Sequence, residues 1–74
     1  MNIYKIVSDK FEYGCNFAHV IVANSPKEVV ELAKENKHDE EDDERWNNGI
    51  IENVGVYTGE NKLPFISLTE YING

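Results

Sequence analysis

This chain of 74 residues is 41% hydrophobic and 11% aromatic, which allows one small core, so residues 1–74 are predicted to form a single domain. Fourteen acidic residues oppose seven basic ones, and the formal net charge is −7. Because the basic residues are scattered singly, this balance excludes binding to a nucleic-acid backbone by counterion release.

The sequence also indicates where the chain is expected to reside. One cysteine, Cys15, excludes an internal disulfide, and no apolar run reaches the roughly 18 residues that a membrane-spanning helix needs. A strand pattern begins at Asn2 without the basic and apolar segments of a secretory leader. We therefore expect a reducing, cytoplasmic location without membrane contact.

Two strands and a turn are predicted in the first third of the chain. Residues 2–8 and 17–23 are dense in β-branched and aromatic side chains, which favour strands. The segment between them is polar and contains Gly14, which suits the loop of an antiparallel hairpin. Alternation along the second strand predicts that His19 lies on the solvent face, opposite Val20.

A helix start is the clearest local signal. Ser25 can cap the helix, Pro26 suits its first position, and Glu28 is placed to close a capping box. The sequence predicts that residues 26–36 form the only long helix, with an apolar face that packs on the sheet. That face carries Val29, Leu32 and Ala33.

Two further strands are predicted after the helix, over residues 50–57 and 65–69. Gly55 is expected to mark a bulge. The residues of the third strand predicted to face the core are Ile50, Val54 and Val56. The order ββαββ predicts an α+β fold, in which a small antiparallel sheet of about four strands is built from two hairpins and carries the amphipathic helix on one face.

No residue set indicates catalysis, a metal or a cofactor. Cys15 and His19 are four residues apart, but neither an orienting acid nor an oxyanion donor accompanies them, so we expect no enzyme activity. Zinc held by Cys15, His19 and His38 would need paired ligands at short spacing, which the sequence lacks. Cys15 is interpreted as a loop thiol or a small buried side chain.

Six consecutive acidic residues form what we call the acidic run: Asp39, Glu40, Glu41, Asp42, Asp43 and Glu44. One interpretation is a solvated loop or helix end that keeps a small protein soluble. The functional interpretation is a docking strip for a basic protein surface, since concentrated charge steers partners. Trp46 and Tyr13 are expected to add apolar anchors, Tyr13 because a hairpin tip faces water.

The strand-cap-helix unit VIVANSPKEVVELAKEN, the lone Trp46, and the segments IIENVGVYTG and PFISLTEYING span most of the chain. Together they resemble small proteins encoded by phages, prophages and related mobile elements of bacteria. The resemblance brings no catalytic residues. It implies a bacterial host cell and a setting rich in inhibitors of host defence, including acidic anti-CRISPR proteins that occupy nucleic-acid or partner sites on a large effector.

The leading hypothesis is a non-enzymatic inhibitor that occludes a basic, nucleic-acid-handling protein such as a CRISPR effector, with the acidic run, Trp46 and Tyr13 at the contact. The alternative is a structural or assembly accessory protein that forms a homodimer through the sheet edge, with the acidic run serving only solubility. Replacing the acidic run distinguishes them, because binding is lost under the first hypothesis and survives under the second.

Overall fold

The computed structural model describes residues 1–11, 14–37 and 41–71. This part has four strands, β1 (Asn2–Val7), β2 (Asn16–Ala23), β3 (Ile50–Val56) and β4 (Phe65–Tyr71), and two helices, α1 (Pro26–Glu35) and α2 (Glu44–Asn47). One antiparallel sheet with helices confirms the predicted α+β fold. Neither described helix has the length and apolar character needed to cross a membrane.

The strands lie in the order β3-β1-β2-β4, and each neighbouring pair is antiparallel. The predicted hairpin of β1 and β2 is confirmed, and Gly14 in its loop has a φ of 80°, which glycine adopts without strain. The predicted second hairpin is wrong, because β3 and β4 lie on opposite edges of the sheet. Residues 57–64 therefore pass across the end of the sheet, where the amide of Tyr57 donates to the carbonyl of Met1 (3.0 Å).

Helix α1 begins where its capping signal predicts. The Ser25 hydroxyl accepts from the backbone N–H of Glu28 (3.4 Å), and the Glu28 carboxylate accepts from the backbone N–H of Asn24 (2.7 Å). The backbone N–H of Glu28 is one of the helix donors that lack an intrahelical partner. The hydrogen bond from Asn24 to the Glu28 carboxylate fixes the chain where it enters the helix. Val29 and Ala33 are buried, so the predicted apolar face is confirmed.

The core lies between the sheet and the helices, on what we call the helix-covered face. Its residues are Tyr4, Ile6, Ile21, Ala23, Val29, Ala33 and Trp46. In β3 the predicted phase is wrong: Ile51 packs against the core, whereas Ile50 is 73% exposed. Val54 and Val56 are exposed as well. Because Ile50 and Ile51 are both apolar, alternation alone does not decide which of them faces inward.

The bulge expected at Gly55 is confirmed. The register between β1 and β3 shifts between the pairs Ile3–Gly55 and Tyr4–Asn53, which leaves Val54 as the extra residue. An extra residue on one strand locally bends that strand and interrupts its alternation. The bulge therefore breaks the pattern from which the core-facing residues of β3 were predicted.

Candidate protein-binding surface

The described part of the acidic run, residues 41–44, is not uniformly solvated, because one of its carboxylates is buried. Glu41 is only 3% exposed, and its carboxylate is held by two donors inside the molecule. One oxygen accepts from the backbone N–H of Asn16, and the other accepts from the indole N–H of Trp46 (3.3 Å). Because Asn16 begins β2 and Trp46 belongs to α2, Glu41 ties this helical turn to the sheet.

The next two carboxylates form ion pairs with lysines from other parts of the chain. Asp42 lies 2.9 Å from Nζ of Lys10 and accepts from the backbone N–H of Arg45 (3.0 Å). Asp43 lies 2.6 Å from Nζ of Lys37. The hydrogen bond from Lys10 holds the pKa of Asp42 below its ordinary value. The hydrogen bond from Lys37 lowers the pKa of Asp43 in the same way.

These contacts change which of the predicted residues can meet a partner. Trp46 is fully buried and Glu41 nearly so, and both are withdrawn from the predicted contact surface, because an anchor or a steering charge must face solvent. Asp43 and Glu44 are exposed, and Asp42 is partly exposed. Four further residues singled out in the sequence lie outside the described residues: Tyr13, His38, Asp39 and Glu40.

His19 lies on the opposite face from the one that alternation predicts. It is the cross-strand neighbour of Ile6, so it lies on the helix-covered face, where it is buried. Its ring packs on Trp46 with centroids 4.9 Å apart, and its Nδ1 lies 2.8 Å from the hydroxyl of Thr69. Burial lowers the pKa of His19, and the charge of Glu41 opposes that shift. These are the surroundings of a core residue.

Cys15 is buried, as in one of the two interpretations of its role. Within the described ranges, no group of three His, Cys, Asp or Glu side chains could hold a metal ion. The titratable side chains Glu41 and His19, which both contact Trp46, are buried. A surface for binding therefore has to be sought on the outside of the fold.

The second face of the sheet carries no helix within the described structure, and we call it the open face. Cross-strand partners share a face, so the register defines three rows across β3, β1, β2 and β4. The rows are Gly55, Ile3, Val22, Phe65; then Glu52, Lys5, Val20, Leu68; then Ile50, Val7, Ala18, Glu70. Eight of these twelve residues are apolar, which is unusual for a sheet face in contact with water.

The first row is packed by residues of the open face itself. The rings of Tyr57 and Phe65 meet edge to face with centroids 5.4 Å apart. A Cβ atom on Gly55 would lie 3.6 Å from Cδ1 of Ile3, so this isoleucine already rests against the glycine. Val22, between Ile3 and Phe65, is buried. Little of this row is left for a partner.

The second and third rows are more open. Leu68 is 57% exposed. A cavity of about 190 Å³ opens between the two rows, lined by Lys5, Ala18, His19, Val20, Leu68 and Glu70. Its lining combines apolar side chains with one ammonium and one carboxylate, and this part of the open face is the best-formed candidate for contact with another molecule.

Comparison with protein-family models, with curated proteins and with solved structures found no match to this chain. Sequence reasoning missed the open face, because alternation was read with His19 on the solvent face and Val20 on the core face, the reverse of what the register shows. The signal was nevertheless present in Val20, Ile21 and Val22, a continuous apolar run. Such a run is typical of a strand with apolar neighbours on both faces.

Proposed function

We propose that this chain is a non-enzymatic binding protein that occludes a basic surface of a nucleic-acid-handling protein in a bacterial cell. The proposal is carried by one combination, a net charge of −7 with an apolar sheet face that no described helix covers. The charge attracts a basic partner over about one Debye length, roughly 8 Å at physiological salt. The apolar face then supplies the area that a stable complex buries.

The outer surface of the described structure is acidic, because exposed carboxylates outnumber exposed basic groups and part of the basic charge is buried or already paired. Arg45 is buried, and Lys10 and Lys37 are each paired with a carboxylate of the acidic run. Exposed acidic residues lie on both sides of the molecule: Glu31, Glu35, Asp43, Glu44, Glu52, Glu60 and Glu70. A basic surface approaching from either side therefore meets negative charge.

A CRISPR effector is a suitable partner to test, given the resemblance to small phage and mobile-element proteins. Such effectors hold nucleic acid in positively charged channels, and a small acidic protein that fills part of a channel competes with the phosphate backbone. Occlusion of this kind needs no catalytic group on the inhibitor.

The experiment has two stages. Cross-linking in nuclease-treated bacterial lysate first identifies proteins that bind the immobilised chain. Each is then purified and loaded with a labelled oligonucleotide, and fluorescence anisotropy follows its release as this chain is added. We expect release at near-stoichiometric amounts, weakening as salt rises. Captured proteins that keep their oligonucleotide at saturation would contradict the proposal.

Two single-charge variants form a matched pair for the kinetic part of this test. Glu44→Gln and Lys27→Gln each remove one exposed charge, of opposite sign. We expect the first to slow association with the captured protein and the second to leave it equal or faster, because steering depends on the sign of the field. Equal slowing by both would show that charge does not guide the encounter.

A second candidate function, an accessory protein that forms a homodimer through the sheet edge, is favoured by one observation. The edge strands β3 and β4 each have seven residues, and in the described structure each has a strand neighbour on one side only. Unpaired edges of this length can pair with another chain. Analytical ultracentrifugation over a range of concentrations decides: a dimer that persists in Glu44→Gln and at high salt favours this candidate.

A further inference from the structure

We infer that the open face is the docking surface for the basic partner and that its cavity receives an arginine side chain of that partner, held by Glu70. The inference rests on the proposed function and adds to it the site and the chemistry of the contact. Three observations carry it: the apolar lining of the cavity, the position of Glu70 at its rim, and the position of Lys5 within the open face.

Arginine fits the lining in both shape and charge. Ala18, Val20 and Leu68 give the cavity apolar walls, and Glu70 adds a carboxylate from the edge strand. The alkyl stem of an arginine can lie along apolar side chains, while its guanidinium gives a carboxylate two parallel N–H donors. An aromatic or aliphatic side chain would fill the cavity but leave Glu70 without a partner.

Glu70 is the carboxylate of the cavity that is available to bind a guanidinium. Lys5 lines the cavity too, but it lies on β1, two inter-strand spacings or roughly 10 Å from the strand that carries Glu70, so a guanidinium held by Glu70 stays at the end of the cavity away from the ammonium. None of the ion pairs between described residues involves Glu70. Glu70 is also exposed, so an approaching cation reaches it without a rearrangement of the sheet.

A second copy of this chain fits the open face poorly. Lys5 lies in the middle row and on one of the two central strands, and so near the centre of the face. A two-fold axis through that centre brings Lys5 of one copy close to Lys5 of the other. Because like charges placed together at an interface disfavour it, a different protein with a basic residue opposite Glu70 is the better occupant.

The inference is tested by NMR titration of the ¹⁵N-labelled chain with the peptide Ac-Leu-Arg-Leu-NH2. The matched probe is Ac-Leu-citrulline-Leu-NH2, which keeps the shape of arginine but replaces the guanidinium with a neutral urea. We expect the arginine peptide to shift the amide signals of Ala18, Val20, Leu68 and Glu70. We also expect it to bind at least about tenfold more tightly than the citrulline peptide, as for a hydrogen bond between charged groups.

Variants then identify the residue responsible. Glu70→Gln should weaken the arginine peptide about tenfold or more and leave the citrulline peptide unchanged. Glu31→Gln removes another exposed carboxylate, from α1 on the other side of the molecule, and should leave the affinity for both peptides unchanged. Leu68→Ala, which shortens one wall, should weaken both. Equal affinity for the two peptides, shifts centred on α1, or no binding would each overturn the inference.

The oligonucleotide-release experiment separates this inference from the proposed function. If the parent chain releases the oligonucleotide and Glu70→Gln does so equally well, the docking site is wrong and the function stands. If the parent chain releases nothing, the function fails whatever the peptides do. A loss of release in Glu70→Gln, with release retained in Glu31→Gln, supports both.

Discussion

The indole N–H of Trp46 donates to the carboxylate of Glu41 across 3.3 Å, and both side chains are enclosed by the fold. A member of the acidic run is therefore part of the core, where it accepts two hydrogen bonds that water cannot replace. Replacing the whole acidic run would disturb folding and binding together, so a test of its charge has to keep Glu41.

Glu41→Gln is expected to destabilise the protein by about 1–3 kcal/mol, because an amide can no longer accept from both buried donors and leaves one of them unsatisfied. Urea denaturation followed by tryptophan fluorescence measures the change. Glu44→Gln, an exposed neighbour in the same run, is the control and should stay within about 0.5 kcal/mol of the parent. Equal midpoints for the two variants would refute a structural role for Glu41.

Removal of one methyl group distinguishes the two sides of the sheet. Ile21 is fully buried on the helix-covered face, whereas Ile50 lies at the exposed margin of the open face. Ile21→Val should cost about 0.5–1.5 kcal/mol, since the surrounding core cannot fill the space completely. Ile50→Val should change the free energy of unfolding by less than about 0.5 kcal/mol. Similar losses at both positions would mean that the open face is covered.

Two glycines make a matched pair for backbone packing. A Cβ atom on Gly49 would lie 2.9 Å from the carbonyl oxygen of Val7 and 3.1 Å from Cγ1 of Ile6, whereas one on Gly55 meets Ile3 at 3.6 Å. Gly49→Ala should cost about 1–3 kcal/mol, because the opposing backbone must move. Gly55→Ala should be much milder. Thermal unfolding of both variants checks this order, and the reverse order would contradict the packing described.

Stability should decrease as the pH falls below the ordinary His19 pKa of 6.5. Burial lowers the folded-state pKa, so between the two values the unfolded chain binds the proton and the folded chain does not. Protonation therefore favours unfolding, and the loss stops growing once the pH reaches the folded-state pKa. Asp42 and Asp43 act in a separate, more acidic window, because the stability linked to their lowered pKa values is lost only as the pH falls below 3.8.

Two measurements check the His19 prediction. An NMR titration of the imidazole should give a midpoint below pH 6.5. The urea concentration at the midpoint of unfolding should decrease as the pH is lowered from about 7 to about 5. His19→Gln, which cannot titrate, should flatten that pH dependence. A midpoint at or above the ordinary value would show that His19 is not desolvated.

The sequence predicts correctly those structural features that depend on only a few neighbouring residues. The Ser25, Pro26 and Glu28 signature predicts the start of α1 because capping depends only on neighbouring residues. Dense β-branched residues and a glycine in the turn likewise predict the hairpin of β1 and β2.

The pairing of β3 and β4 is not encoded locally. The connection over residues 57–64 has to cross three inter-strand spacings, roughly 14 Å, and an extended segment of that length reaches roughly 26 Å. The length of this connection is therefore compatible both with a hairpin of β3 and β4 and with their placement on opposite edges of the sheet. What selects opposite edges is the packing of the whole sheet.

The candidate surface was not predicted from the sequence, because it too depends on contacts between residues that are far apart in the chain. Charge runs are usually solvated, and nothing near Glu41 in the sequence shows that its partners are Asn16 and Trp46. Alternation groups His19 with Ile21 correctly but does not tell which face the helices cover. Once the covered face is known, the other side of the same strands becomes the open face, and its row of Lys5, Val20 and Leu68 follows from the register.

The strand order also governs when the sheet can be completed during synthesis. β1 and β2 form its centre, yet their outer neighbours begin only at Ile50 and Phe65. The central hairpin and α1 therefore emerge from the ribosome before either edge strand does, and for that time the hairpin has unpaired backbone groups on both sides. These long-range pairings favour slow folding, and early capture by a chaperone would protect the nascent chain from aggregation.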